Sequence, residues 1–159
     1  MRKHILVVMA AMVFVLALAT VAMAADDPFV GTWKLNLAKS KFNPPSSALK
    51  SDMVKIEAQD NGLKFTFDRV DVEGKDIHIE QAPKFDGKDY PVKGAATGST
   101  VSLRRIDANT FEQVEKKDGK EGARVLVVVS KNGRTSTATS KEKNEKGRDI
   151  TSIILYDKQ

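Results

Sequence analysis

The chain has 159 residues, 26 of them basic and 21 acidic, for a formal net charge of +5, and it contains no cysteine. The missing thiols exclude cysteine nucleophiles, thiolate metal sites and disulfide exchange. Charges of both signs are interspersed, as in Glu115-Lys116-Lys117-Asp118 and Lys141-Glu142-Lys143, which is the pattern of solvated turns and not of a nucleic-acid surface.

The first residues read as a leader. Arg2, Lys3 and His4 form a positive start, Ile5 to Ala19 is an unbroken apolar run, and Ala22 and Ala24 stand at an A-x-A cleavage site. A secretory signal peptide over 1–24 is expected, leaving a single domain over 25–159. An uncleaved anchor is the competing possibility, because Ile5 to Ala25 is long enough to span a bilayer with only Thr20 polar. The well-formed cleavage site and the acidic Asp26-Asp27 after it favour removal. The mature protein is then expected in the periplasm or outside the cell, with no membrane attachment. Without Arg2 and Lys3, 24 basic residues face 21 acidic ones, a net charge of +3. An exported domain without disulfides must be held by its core alone.

From residue 30 onward the hydrophobic period is two. Val54, Ile56 and Ala58 alternate with Lys55 and Glu57, and Leu63, Phe65 and Phe67 with Lys64, Thr66 and Asp68. Ile77 and Ile79 flank His78, while Val101 and Leu103 flank Ser102. Each run is the signature of a half-buried antiparallel strand. Strands are predicted near 30–36, 53–59, 63–71, 76–82, 89–93, 100–106, 110–116, 123–130, 135–141 and 149–156. Turn chemistry separates them: Asp60-Asn61-Gly62, Glu73-Gly74, Asp86-Gly87, Asp118-Gly119, Asn132-Gly133 and Lys146-Gly147. Of these, Asn132-Gly133 is the strongest two-residue hairpin signal. A meander this long leaves two open edges unless it closes, so the expected fold is all-β, an up-and-down antiparallel meander of about 8–10 strands forming a barrel.

Some stretches break the rhythm. The connection 37–52 carries Asn43-Pro44-Pro45-Ser46-Ser47, which cannot be a helix interior. It is either a lid or binding loop, or a strap across a barrel end with Phe42 as its plug. Thr135 to Ser140 has no fully apolar face; a solvent-facing, edge-like strand is expected, with a polar wall inside a cavity as the alternative. Val125 to Val129 is apolar on both faces, which suits an outer patch for self-association.

The opening Phe29-Val30-Gly31-Thr32-Trp33-Lys34-Leu35, with its G-x-W triplet, resembles the start of lipocalins and fatty-acid-binding proteins. Tyr156-Asp157-Lys158 after an apolar last strand resembles the end of a fatty-acid-binding protein. Phe85-Asp86-Gly87-Lys88-Asp89-Tyr90-Pro91-Val92 and Val101 to Asn109 resemble segments of a group of exported bacterial proteins without a known activity. The resemblance implies a calycin-type barrel in which Trp33 plugs the closed end beneath a basic side chain from a late strand, Arg124 or another. It also implies a ligand-binding role for Tyr156. The chain departs from that pattern in two places. Pro44-Pro45 argues against a helical lid, and Ile154 stands where the family's carboxylate-binding arginine would be. Carboxylate capture thereby loses its charged member.

No catalytic constellation is visible. His78 is the only histidine after cleavage and falls on the polar side of its strand, so no metal site is expected. There is no G-x-S-x-G turn and no glycine-rich phosphate loop. The carboxylates cluster at hairpin ends with lysines, as on a solvated rim. An enzyme is therefore not expected, nor a cofactor. The expected function is an exported binder of a small lipophilic or amphipathic ligand, lined by Phe65, Phe67, Ile77 and Ile79, with Tyr156 offering its phenol. The alternative is a solid barrel acting through its loops as an interaction or inhibitor protein of the cell envelope. Cavity volume separates the two. Ligand identity and oligomeric state are left open by the residues.

Overall fold

The computed structural model describes residues 27–144 and 146–159. The leader expected over 1–24 lies outside the described residues. Ten antiparallel strands follow one another: β1 Gly31–Leu35, β2 Leu49–Gln59, β3 Gly62–Asp71, β4 Asp76–Gln81, β5 Tyr90–Lys93, β6 Ser99–Asp107, β7 Thr110–Lys117, β8 Lys120–Val129, β9 Thr135–Lys143 and β10 Asp149–Lys158. Each pairs with its neighbours in sequence, and β1 pairs with β10, so the sheet closes into an up-and-down barrel. Two short 3-10 turns, Leu37–Lys39 and Pro45–Ser47, are the only helical pieces among the described residues.

The register explains which residues face inward. Opposed residues share a face, so Trp33, Val54, Phe67 and Ile79 form one inner row, and Ile56, Phe65 and Gln81 the next. On the far side, Ile154, Ala138, Val127 and Phe111 continue the inner surface. One end is closed. There Phe29, Trp33, Leu63, Leu103, Phe111 and Val129 are buried together, with the Phe29 and Phe111 rings 4.7 Å apart edge to face. Trp33 Nε1 donates to the Phe29 carbonyl at 2.8 Å, and Lys158 Nζ lies 5.0 Å from the Trp33 ring centroid. The late basic residue over the tryptophan is thus a lysine from the last strand. Arg124 points outward instead, to Glu112 and Glu121. Arg105 seals the same end, stacked 4.2 Å over Phe85 and ion-paired with Asp27.

Three local expectations are corrected. The second strand begins at Leu49 and not near 53, so the long connection covers 36–48. It runs beside β10 as a strap: Lys41 and Ile153 exchange backbone hydrogen bonds of 2.7 and 2.8 Å, and Asn43 N donates to Ser152 Oγ at 2.9 Å. Two-residue hairpin loops form at 60–61, 108–109 and 118–119, and in the last both Asp118 and Gly119 have positive φ (50° and 77°), as a type I′ turn requires. At Asn132-Gly133 only Gly133 has positive φ, and the loop widens to 130–134, with Ser130 N donating to Thr135 O at 2.9 Å. Finally, β9 is no edge strand: it pairs along its length with β8 and β10, and its serines face inward.

Replacing Trp33 with Ala removes the largest buried side chain of the closed end. The expected loss is about 3–5 kcal/mol of stability, typical of aromatic-to-alanine changes in a core, read as the fall in the guanidinium unfolding free energy. A loss below about 1 kcal/mol would mean that the end is not a packed plug.

Candidate functional site

The barrel is hollow. A cavity of about 530 Å³ runs from the Trp33 floor to the opposite mouth. The mouth is framed by Ala95, Lys116, Lys117, Gly122 and Glu142, with Phe42 and Ser47 of the strap reaching over it. Space remains because the two sides of the wall differ in volume. Phe65, Phe67 and Ile79 fill one side, whereas Ala123, Ser136, Ala138, Ser140 and Ser152 project little from the other. The alternation in β9 that left Thr135 to Ser140 without an apolar face therefore puts its hydroxyls on a cavity wall.

Four of the five residues expected at a ligand site from sequence lie on this wall: Phe65, Phe67, Ile79 and Tyr156. The Phe65 and Phe67 rings are nearly parallel, 5° apart, with centroids at 6.0 Å. Ile77 is not on the cavity wall; it pairs with Arg69 one step nearer the rim. Tyr156 is not free to serve a ligand as a donor, because its hydroxyl donates to Asp52 Oδ2 at 2.8 Å. His78 stays outside on β4, its Nδ1 2.6 Å from Asp68, and that contact raises its pKa. Among the described residues no three His, Cys, Asp or Glu side chains converge to hold a metal ion.

Two polar groups on the inner surface escape a search for hydrophobic alternation. The first is the cluster of Asp52, Arg69 and Tyr156. Asp52 is only 2% exposed, and Arg69 Nε donates to the same Oδ2 at 3.0 Å while its guanidinium lies 4.4 Å over the Phe67 ring. Asp52 Oδ1 is buried with no partner. Burial raises the Asp52 pKa above its ordinary value, outweighing the nearby Arg69 charge and the Tyr156 hydrogen bond. Burial and the Asp52 charge raise Tyr156 in turn. The second is a chain of side-chain hydrogen bonds on the opposite wall. Gln81 Nε2 donates to Gln113 Oε1 at 3.1 Å, and Gln113 Nε2 to Glu115 Oε1 at 2.9 Å. This chain bridges the thinnest part of the barrel, where β5 holds β4 through two register pairs and β6 through another two. The signal for all of these residues was parity: Asp52 is in phase with Val54, Arg69 with Phe67, Gln81 with Ile79, and Gln113 with Phe111.

The closed ten-strand antiparallel barrel is compatible with a lipocalin- or calycin-like fold. Neither a scan of protein-family models nor a search of curated proteins returns a match for this chain.

The raised Asp52 pKa has a pH consequence. A folded barrel that holds this proton more tightly than the unfolded chain gains most from Asp52 below the ordinary carboxyl pKa of about 3.9, and loses that gain as pH rises through the folded value. Urea unfolding of the native chain and of Asp52→Asn should therefore show the variant gaining ground steadily from about pH 4 upward. A stability difference independent of pH would mean that Asp52 titrates alike in the two states.

Proposed function

We propose that the protein is an exported carrier that holds a small apolar or amphipathic molecule inside its barrel and performs no catalysis on it. The observation that supports this most directly is the cavity of about 530 Å³ with its largely apolar wall. Its size falls in the range of about 300–1,000 Å³ typical of small-molecule sites. A space of this size that opens to solvent at its mouth is not left empty. It is filled by water or by cargo, and apolar walls such as Phe67, Ile79, Val125 and Val127 offer water few partners. Export is supported by the leader pattern over 1–24. The lipocalin-like G-x-W start, with Trp33 at the floor, agrees with a carrier. The alternative, a solid scaffold acting through its loops, has less support, since the interior is not filled by side chains.

Native mass spectrometry of the exported protein, purified without detergent, tests the carrier. The expected result is an adduct in the lipid or small-molecule range that disappears on denaturation. Ala138→Phe, which fills the cavity from its small-residue wall, should abolish that adduct while far-UV circular dichroism still reports a β-barrel. A bare mass after incubation with fatty acids, alcohols, amines and monoglycerides would move the function to the surface of the protein. The exported chain should also begin at Ala25 by N-terminal sequencing; a start at Met1 would place a membrane anchor ahead of the barrel.

A further inference from the structure

We infer that the ligand carries an uncharged head group, a hydroxyl or an amide, and is not a free fatty acid. This rests on the carrier function proposed above and specifies which molecules the same cavity takes.

The argument starts from the charges on the wall. Among the described residues the cations that line the cavity are Arg69, Lys116 and Lys117. Each already faces a carboxylate: Arg69 meets Asp52 at 3.0 Å, Lys116 meets Asp89 at 2.9 Å, and Lys117 meets Asp118 at 3.3 Å. Glu115 and Glu142 add negative charge to the same wall, and no cation pairs with them among the described residues. A carboxylate drawn inside would be desolvated with no uncommitted cation to receive it, and that cost outweighs one shared hydrogen bond. Tyr156 does not alter this, because its proton is given to Asp52. A cationic head has little more to gain. Glu115 is exposed at the mouth, where water screens it, and the deeper ion pair of Asp52 and Arg69 is balanced.

What the interior does offer is neutral hydrogen bonding. Ser136 lines the cavity while only 7% exposed, and its hydroxyl has no hydrogen-bond partner among the described residues. Ser140 stands four residues further along the same strand, on the same face, and also lines the cavity. Ser152, by contrast, is occupied by the strap, exchanging hydrogen bonds with Asn43. Facing these serines, the buried Gln81 and Gln113 spend one amide hydrogen each on the chain to Glu115 and keep the other. Hydroxyls and amides both donate and accept, so they complement a hydroxyl or amide head without a charge to neutralise. Phe65, Phe67, Ile79 and Val127 supply the surface for its hydrocarbon body.

The test uses N-phenyl-naphthylamine, an uncharged fluorophore, bound to the purified protein and displaced by lauryl alcohol, monolaurin, lauric acid or laurylamine at neutral pH. The alcohol and the monoglyceride should displace it at concentrations at least about tenfold below those of the acid and the amine. Ser136→Val should weaken displacement by monolaurin about tenfold while leaving fluorophore binding intact; the milder double variant Ser136→Ala, Ser140→Ala serves if the first fails to fold. Lauric acid binding as tightly as the neutral compounds would overturn the head-group inference and leave the carrier standing. Preference for laurylamine would overturn it as well, by making Glu115 and Glu142 the governing groups. If the barrel takes up neither the fluorophore nor any lauryl compound, the carrier itself is wrong.

Discussion

The outer edge of β1 exposes a row of backbone N–H and C=O groups, and in a meander of this topology the only strand left to satisfy them is β10. The seam is short: Trp33, Lys34 and Leu35 oppose Lys158, Asp157 and Tyr156. Beyond Leu35 the strap takes over. Asn36 N donates to Leu155 O at 2.8 Å, Ser40 Oγ accepts from Leu155 N at 2.9 Å, and Lys41 pairs with Ile153. The proline-rich connection is thus part of the wall, and without it half of β10 would be an open edge. Closure also positions the interior. Lys158 reaches Trp33 and Tyr156 reaches Asp52 because the last strand is held against the first.

Once the sheet is closed, its contents follow from residue volume. Inward aromatic side chains converge near the floor, where Phe29, Phe85 and Phe111 meet edge to face or nearly so. Higher up, β8, β9 and β10 contribute Ala123, Ala138, Ser140 and Ser152, which leave space that no facing side chain crosses. The barrel is consequently solid at one end and hollow through the rest. Many of the polar groups inside are arranged in pairs and chains that satisfy one another, which is what burial demands of them. Among the described residues Asp52 Oδ1 and Thr100 Oγ1 are fully buried without a partner, while the Ser136 hydroxyl opens onto the cavity.

Much of this was legible before the fold was seen. Period-two alternation, together with the spacing of the turn residues, located all ten strands, and the edge argument closed them. Register was less accessible. The strand at Leu49 begins earlier than expected because Lys50, Ser51 and Asp52 are polar, and a hydrophobic pattern stops at Val54; only pairing with Arg69, Val70 and Asp71 reveals that the strand continues. Asp52 was missed for the same reason, since a carboxylate inside a barrel is recognisable only by partners remote in sequence. The serines of β9 were ambiguous because Thr and Ser alternate there with no change in polarity, so nothing in the residues says which set faces in. Turn composition put the strongest hairpin signal on a loop that is wide, as Asp-Gly and Asn-Gly both permit positive φ and the flanking register decides which loops are short.

The chain has a single tryptophan, and it stands where the plug ends and the hollow begins. Its indole is hydrogen-bonded to Phe29, capped by the ammonium of Lys158 and in contact with the lower end of the cavity. The protein therefore carries its own optical probe at the base of its container. Emission from Trp33 belongs to one site, is shielded from bulk solvent while the barrel stays closed, and is sensitive to whatever occupies the space above it. Filling and opening of the barrel are both visible to one native chromophore, without a label and without altering the chain.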